Sequence, residues 1–146
     1  MGCGIAYDFY LKSKVLSPLP YAIAFAALPA TPYLGKGESV PMWMVAVGGL
    51  FGIVAHFANV LKDHEPDQEV GIRGLPQKLS VRVNVVVCLI LLAVITSVAS
   101  YQRPTLALYL IVTCVVGVAV IALRPTTLAF PIIMALALSS VLALVY

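Results

Sequence analysis

Apolar residues along this chain form long runs separated by short polar segments. The runs cover residues 18–34, 42–61, 83–101, 105–123 and 128–145. An α-helix of about 20 apolar residues spans the hydrocarbon core of a bilayer. The pattern therefore predicts about five transmembrane helices with no strands, joined mostly by connections of a few residues, so that sequential helices run antiparallel.

Proline and glycine modify two of these runs. The first holds Pro18, Pro20, Pro29 and Pro32, and such a density of proline predicts a kinked span. The second holds Gly48, Gly49 and Gly52, which predict a surface where another helix packs closely. Between the two runs, Gly35 to Pro41 is predicted to form a turn.

The polar stretch from Ala55 to Arg82 differs from the other connections. It contains four of the six acidic residues of the chain, Asp63, Glu65, Asp67 and Glu69. Asn59, Asp63 and Asp67 recur every four residues, a spacing that places consecutive members on one helical face. We expect Asp67 to share that face only as far as Pro66 lets the helix continue.

Composition supports the membrane interpretation. With 62% hydrophobic residues, 10% charged residues and a mean hydropathy of +1.04, the chain is too apolar for an ordinary soluble domain. We interpret residues 1–146 as one all-α, polytopic membrane domain. No basic cluster is interleaved with aromatics, which argues against a nucleic-acid partner. Cys3, Cys88 and Cys114 show no pairing or metal-ligand spacing, and free thiols are expected.

The basic residues indicate an orientation. Alternating spans place seven of the nine Lys and Arg residues on one side: Lys12, Lys14, Lys62, Arg73, Lys78, Arg82 and Arg124. Lys36 and Arg103 fall on the other. The positive-inside rule then predicts a multi-pass protein with its acidic stretch in the cytoplasm.

Carboxylates spaced by four beside a membrane suit Mg²⁺, which prefers oxygen ligands and is often shared with substrate phosphates. Nearby Lys12, Lys78 and Arg73 are suited to holding phosphate oxygens. The alternative is a solvent-exposed connection without a binding role, in which the positive charges of Lys62, Arg73, Lys78 and Arg82 neutralise the four acidic side chains. Spacing alone does not separate the two.

The run NVLKDHEPDQEVGIRGLPQKLS resembles the second aspartate-rich motif of the UbiA-type intramembrane prenyltransferases. Asp63 and Asp67 match its DxxxD pair, and GIRGLP matches the segment that follows. Upstream, GIAYDFYLKSKVLSPLPYAIAFAALPA is similar to the family's connection between its fourth and fifth helices. The resemblance covers nearly the whole chain and implies the C-terminal half of a nine-helix bundle.

The resemblance also implies an activity. In that family two aspartate-rich motifs bind Mg²⁺ and a polyprenyl diphosphate, and the prenyl group passes to an aromatic or other lipophilic acceptor. Asp63 and Asp67 would then be the catalytic metal ligands. Lys12 with Tyr7 would contact the diphosphate, although Tyr10 and Lys14 offer the usual YxxxK spacing instead. By their own chemistry, Arg73 is assigned to a phosphate contact over surface pairing with Glu69, and Asn59 to the lining of the site over a polar role in a helix interface.

The family's first motif, NDxxDxxxD, does not occur in this sequence. We therefore expect the chain alone to be inactive and to need an N-terminal half. It would be a fragment, a truncated product or half of a split enzyme. The alternative is a non-catalytic membrane subunit or truncated remnant. An ion-coupled transporter is disfavoured, because no acidic residue lies at mid-span.

Other polar and aromatic residues lie near the same site in the sequence but are weaker candidates for it. His56 is interpreted as a hydrogen-bonded helix residue rather than a ligand, because Mg²⁺ prefers oxygen. Glu65 and Glu69 are interpreted as loop charges. Tyr21 and Phe25, one turn apart, are candidates for lining a prenyl channel, although helix packing is the commoner role for such a pair.

Overall fold

The computed structural model describes residues 14–69, 74–123 and 130–136, and the side chains of these apart from residues 62–69, 106, 109, 110, 113, 120, 121 and 123. Most residues in these ranges are helical, and none of them lies in a strand. The prediction of an all-α fold is therefore confirmed. The expectation of five spans and of a UbiA-like bundle remains a prediction.

The first apolar run forms two short helices with an interruption between them, where its prolines predicted a kink; that this run spans a membrane stays a prediction. Helix α1 covers Leu19–Ala27 and helix α2 covers Ala30–Gly35, with the break at Leu28 and Pro29. Proline has no N–H to donate and its ring crowds the preceding turn, so it can begin α2 but not continue α1. The predicted turn follows, with Gly37 at a positive φ of 70°.

Two long helices form the centre of the molecule. Helix α3 covers Met42–Glu69, and helix α5 covers Val81–Gln102, joined by the short helix α4 at Leu75–Lys78. Within them, Met42–Leu61 and Val81–Gln102 are long and apolar enough to cross a membrane. The first of these matches the predicted 42–61, and the second extends the predicted 83–101 by a residue or two at each end.

The remaining described helices follow α5. A 3₁₀ turn at Pro104–Leu106 leads into helix α6 at Ala107–Leu123. Residues 130–136 form a further helical segment, α7, which lies inside the predicted run 128–145. The rest of that run is outside the described residues.

The core lies between α3 and α5, with α7 against it. Buried apolar residues recur at spacings of three and four along both long helices, which is the spacing of a packed helix face. They are Val47, Phe51, Val54 and Ala58 on α3 and Val85, Cys88, Leu92 and Ile95 on α5, joined by Ile133 and Leu136 from α7. Buried Cys88 and half-buried Cys114 are both free thiols, as expected.

The glycines of α3 bring α1 into close contact. A Cβ atom built on Gly48 would lie 2.6 Å from the carbonyl oxygen of Phe25, and one on Gly52 would overlap the carbonyl oxygen of Tyr21. Only glycine allows two helix backbones to approach so closely. The predicted close-packing surface is confirmed. As Phe25 faces Gly48 and Tyr21 faces Gly52, α1 and α3 run antiparallel.

Candidate functional site

Helix α3 continues well past the apolar segment that ends at Leu61. It reaches Glu69 without a break and passes through Pro66. Eight residues at about 1.5 Å each carry the helix about 12 Å beyond Leu61. The expectation that Glu65 and Glu69 belong to a loop is therefore corrected: both are helical. The physical reason is that one proline removes a single backbone donor, which kinks a helix without having to end it.

Asn59, Asp63 and Asp67 consequently share one helix. Successive members are four residues apart, which rotates each by about 40° from the last and raises it by about 6 Å. Asn59 falls inside the apolar segment, and positions 63 and 67 fall beyond it. The side chains of residues 62–69 are outside the described set, so the structure places the backbone of the two aspartates but not their carboxylates.

The side chain of Asn59 is exposed, although its neighbours Ala58 and Val60 are buried. Helix α1 covers α3 around Gly48 and Gly52, and Asn59 lies further along α3 than this contact reaches. Its amide is consequently available to a ligand or to another helix. This exposure is compatible with the predicted site and equally with a contact to another helix, so the role of Asn59 stays a prediction.

Three segments meet at the hydroxyl of Ser17. The Oγ atom lies 3.0 Å from Nε2 of His56 and accepts a hydrogen bond of 3.2 Å from the backbone N–H of Leu75. Ser17 and His56 are both fully buried. The interpretation of His56 as a hydrogen-bonded helix residue is confirmed. Tyr21 packs its ring 4.9 Å from the imidazole, which gives Tyr21 a packing role here.

The segment between α3 and α5 is held by further polar contacts. The side-chain amide of Asn84 donates a 2.8 Å hydrogen bond to the carbonyl of Pro76, and Asn84 is fully buried. Ser80 caps α5 by accepting from the backbone N–H of Val83 at 3.3 Å. The Asn84 bond ties Leu75–Lys78 to the start of α5, and the Ser17 contact ties it to α3 at His56.

Exposed basic residues surround this end of the molecule. Lys78 closes α4, Arg82 is in the first turn of α5, and Lys14 lies three residues before Ser17. Lys36 follows the C-terminus of α2 and Arg103 follows the C-terminus of α5, so both lie at the opposite end of the bundle. Within the described residues, the two ends of the helices therefore carry the basic residues in the arrangement that the sequence predicted.

Three predicted site residues lie outside the described residues: Tyr7, Lys12 and Arg73. Their predicted contacts with a diphosphate stay predictions. Ser17 and Asn84, by contrast, were not singled out from the sequence. The signal that could have found Ser17 is buried His56 itself, because a polar side chain inside an apolar helix requires a hydrogen-bonding partner.

The described side chains contain no cluster of three or more His, Cys, Asp or Glu that could hold a metal ion. The acidic residues of α3 are not among those side chains. By sequence, Asn59, Asp63 and Asp67 bring amide and carboxylate oxygens to this helix, and such oxygens suit a hard cation such as Mg²⁺.

Comparison of the chain with family models, with curated proteins and with solved structures found no match. The resemblance to the UbiA-type prenyltransferases thus stays an interpretation of the DxxxD and GIRGLP segments.

Proposed function

We propose that this chain is a multi-pass membrane protein corresponding to the C-terminal half of a UbiA-type prenyltransferase. Completed by a second set of helices, it transfers the prenyl group of a polyprenyl diphosphate to an aromatic or other lipophilic acceptor. The bond between the allylic carbon and the diphosphate oxygen breaks, a bond to the acceptor forms, and the acceptor loses a proton.

The observation that carries this proposal is the unbroken helix from Met42 to Glu69. It keeps Asn59, Asp63 and Asp67 on successive turns of one helix as that helix leaves its apolar segment. A helix ending at Pro66 would have left Asp67 unplaced relative to Asp63. Continuity of the helix supports the two aspartates acting as a pair.

Asp63 and Asp67 would hold Mg²⁺, which when bound neutralises charge on the departing diphosphate. Tyr7, Lys12 and Arg73 would contact the remaining phosphate oxygens, Arg73 through two parallel N–H groups. Asn59 would donate its amide at the inner edge of the site. The opposite aspartate-rich wall is not in this sequence, so turnover requires a partner that supplies it.

Membrane insertion is supported by apolar surface on the outer faces of the helices. Valine, leucine and isoleucine side chains are at least one-third exposed at Val83, Val86, Ile90 and Val94 on α5 and at Leu108, Ile111, Val112, Val115 and Val116 on α6. A soluble monomer rarely exposes so much contiguous apolar surface, whereas lipid tails cover it without cost. The end of the bundle that carries Lys14, Lys78 and Arg82 would face the cytoplasm, together with the acidic C-terminal part of α3.

The proposal is tested by metal binding to the full chain in lipid nanodiscs. Mn²⁺ replaces Mg²⁺ as the probe, and its electron paramagnetic resonance signal is followed with and without inorganic pyrophosphate. We expect pyrophosphate to tighten Mn²⁺ binding. Asp63→Asn and Asp67→Asn should each weaken that binding at least about tenfold, because each removes a charged oxygen ligand.

Glu38→Gln is the matched control. It removes a carboxylate from the turn after α2, at the end of the bundle opposite to Asp63, and should leave Mn²⁺ affinity unchanged. Wild-type protein that binds no Mn²⁺ with pyrophosphate, or aspartate variants that bind as well as wild type, would overturn the proposed site and favour the non-catalytic membrane subunit.

A further inference from the structure

The buried junction at Ser17 lies on the same helix face as the acidic positions. His56 precedes position 63 by seven residues and position 67 by eleven, which corresponds to rotations of about 20° in opposite directions around α3. Positions 56, 63 and 67 therefore lie nearly in one line along the side of α3. The imidazole of His56 occupies its inner end, where Ser17 meets it at 3.0 Å.

The same hydroxyl holds the connection that follows α3. Leu75 donates its backbone N–H to Ser17 Oγ across 58 positions of sequence, and His56 is 39 positions away from Ser17. One side chain therefore joins the start of α1, the middle of α3 and the start of α4. Arg73 precedes Leu75 by two residues, and Lys14 precedes Ser17 by three, so both flanking segments carry a basic residue.

A serine hydroxyl is suited to this position. It has one proton and two lone pairs, so it can accept from the Leu75 N–H while it either donates to His56 or accepts from it. Both arrangements bridge the three segments. The Ser17–His56 contact is fully buried and the bond from Leu75 is partly buried, and buried hydrogen bonds fix orientation because water does not readily replace them.

We infer that Ser17 is a positioning residue, which acts through His56 and the Leu75 amide to hold the segment Leu75–Lys78 and the start of α1 against α3 at His56, the inner end of the line formed by positions 56, 63 and 67. Its role in substrate binding rests on the proposed function. Its mechanical role, holding α4 in place, does not. Ser17 itself touches neither diphosphate nor metal.

Two measurements on the full chain separate these roles. The first is the distance between spin labels at Met42→Cys and Lys78→Cys, both exposed in the structure, in a background with Cys3, Cys88 and Cys114 replaced. We expect a narrow distribution for the wild-type serine and for Ser17→Thr, which keeps the hydroxyl. Ser17→Ala should broaden it, because α4 loses its contact with the junction.

The second measurement is Mn²⁺ affinity with pyrophosphate. Ser17→Ala should weaken it about tenfold, in the range for residues that orient ligands indirectly, and Ser17→Thr should restore it. Ser100→Ala is the control, since the Ser100 hydroxyl is also buried on the described bundle but makes no hydrogen bond there. It should change neither reading, at a temperature where all variants are folded.

The outcomes are distinct. If the distances between the spin labels are as narrowly distributed in Ser17→Ala as in the wild type, the positioning role is overturned, whatever the Mn²⁺ affinity of that variant. If Ser17→Ala fails to fold, His56→Gln and Ser17→Thr decide, because both retain a hydrogen-bonding group and should keep the narrow distribution. Absence of Mn²⁺ binding in wild type overturns the proposed function alone, while the label distances still test the junction.

Discussion

At the residue scale, the contact between α1 and α3 depends on glycines of α3, which have no side chain to keep the two backbones apart. Gly52 lies directly under the carbonyl oxygen of Tyr21, so that any Cβ would overlap the backbone. A backbone atom cannot rotate away as a side chain can, and the helices would have to separate. The neighbouring Gly49 has more room, with its nearest atom, the Ala22 carbonyl oxygen, 3.6 Å from a built Cβ.

Gly52→Ala should therefore destabilise the protein, whereas Gly49→Ala should not. We expect a loss of about 1–3 kcal/mol for Gly52→Ala from forced separation of the helices. Gly49→Ala meets only ordinary contacts and gains helix propensity, so it should be neutral or stabilising by up to about 1 kcal/mol. Unfolding in mixed micelles with increasing SDS measures both. Equal stability of the two variants would contradict the close packing of α1 on α3.

At the element scale, the metal site proposed for α3 requires that the helical phase is kept across Pro66. The aspartates at 63 and 67 act as a pair only if the turn between them is helical, as the backbone shows. This turn lies beyond the apolar segment that ends at Leu61. Its register can consequently be changed without altering the core around Phe51 and Val54.

Insertion of one alanine between Glu65 and Pro66 should weaken Mn²⁺ binding with pyrophosphate at least about tenfold. The insertion rotates position 67 by about 100° relative to position 63, which separates the two carboxylates around the helix. The loss should equal that of Asp67→Asn in the same resonance titration. An alanine inserted between Glu69 and Val70 leaves the phase from 59 to 67 unchanged and should bind as wild type. Tolerance of the first insertion would show that the pair does not act as a helical unit.

At the scale of the whole molecule, the antiparallel packing of the helices sorts charge to the two ends. Lys14, Lys78 and Arg82 are at the end where α3 leaves its apolar segment, and Lys36 and Arg103 are at the other. If the apolar segments of α3 and α5 cross a bilayer, these two groups must lie on opposite sides of it.

Single cysteines should therefore label from opposite sides. In cells expressing a variant without Cys3, Cys88 and Cys114, Lys36→Cys should react with a membrane-impermeant maleimide added outside. Lys78→Cys should react only after the membrane is opened, as the positive-inside rule requires. The reverse pattern would overturn the cytoplasmic placement of the acidic helix. Reaction of both residues from outside would overturn membrane insertion of the two helices.

The sequence by itself determined the helical class and the ends of the main apolar segments. These follow from local properties: hydrophobic runs of the length of a bilayer, and Gly and Pro residues that break them. The segment 42–61 was predicted to its ends, and the packing role of Gly48 and Gly52 was read from residue size alone. The identity of His56 as a hydrogen-bonded residue also followed from chemistry, because an imidazole is a poor ligand for Mg²⁺ and needs a partner when buried.

Only the tertiary structure decided the partners and the continuity of the helices. Ser17 is 39 residues from His56 and 58 from Leu75, and no periodicity links positions so far apart; folding alone brings them together. Whether Pro66 ends a helix or is absorbed by it depends on the small balance between one lost hydrogen bond and the contacts that the continued helix makes. At Pro29 the helix is interrupted instead, so that the first apolar run consists of α1 and α2.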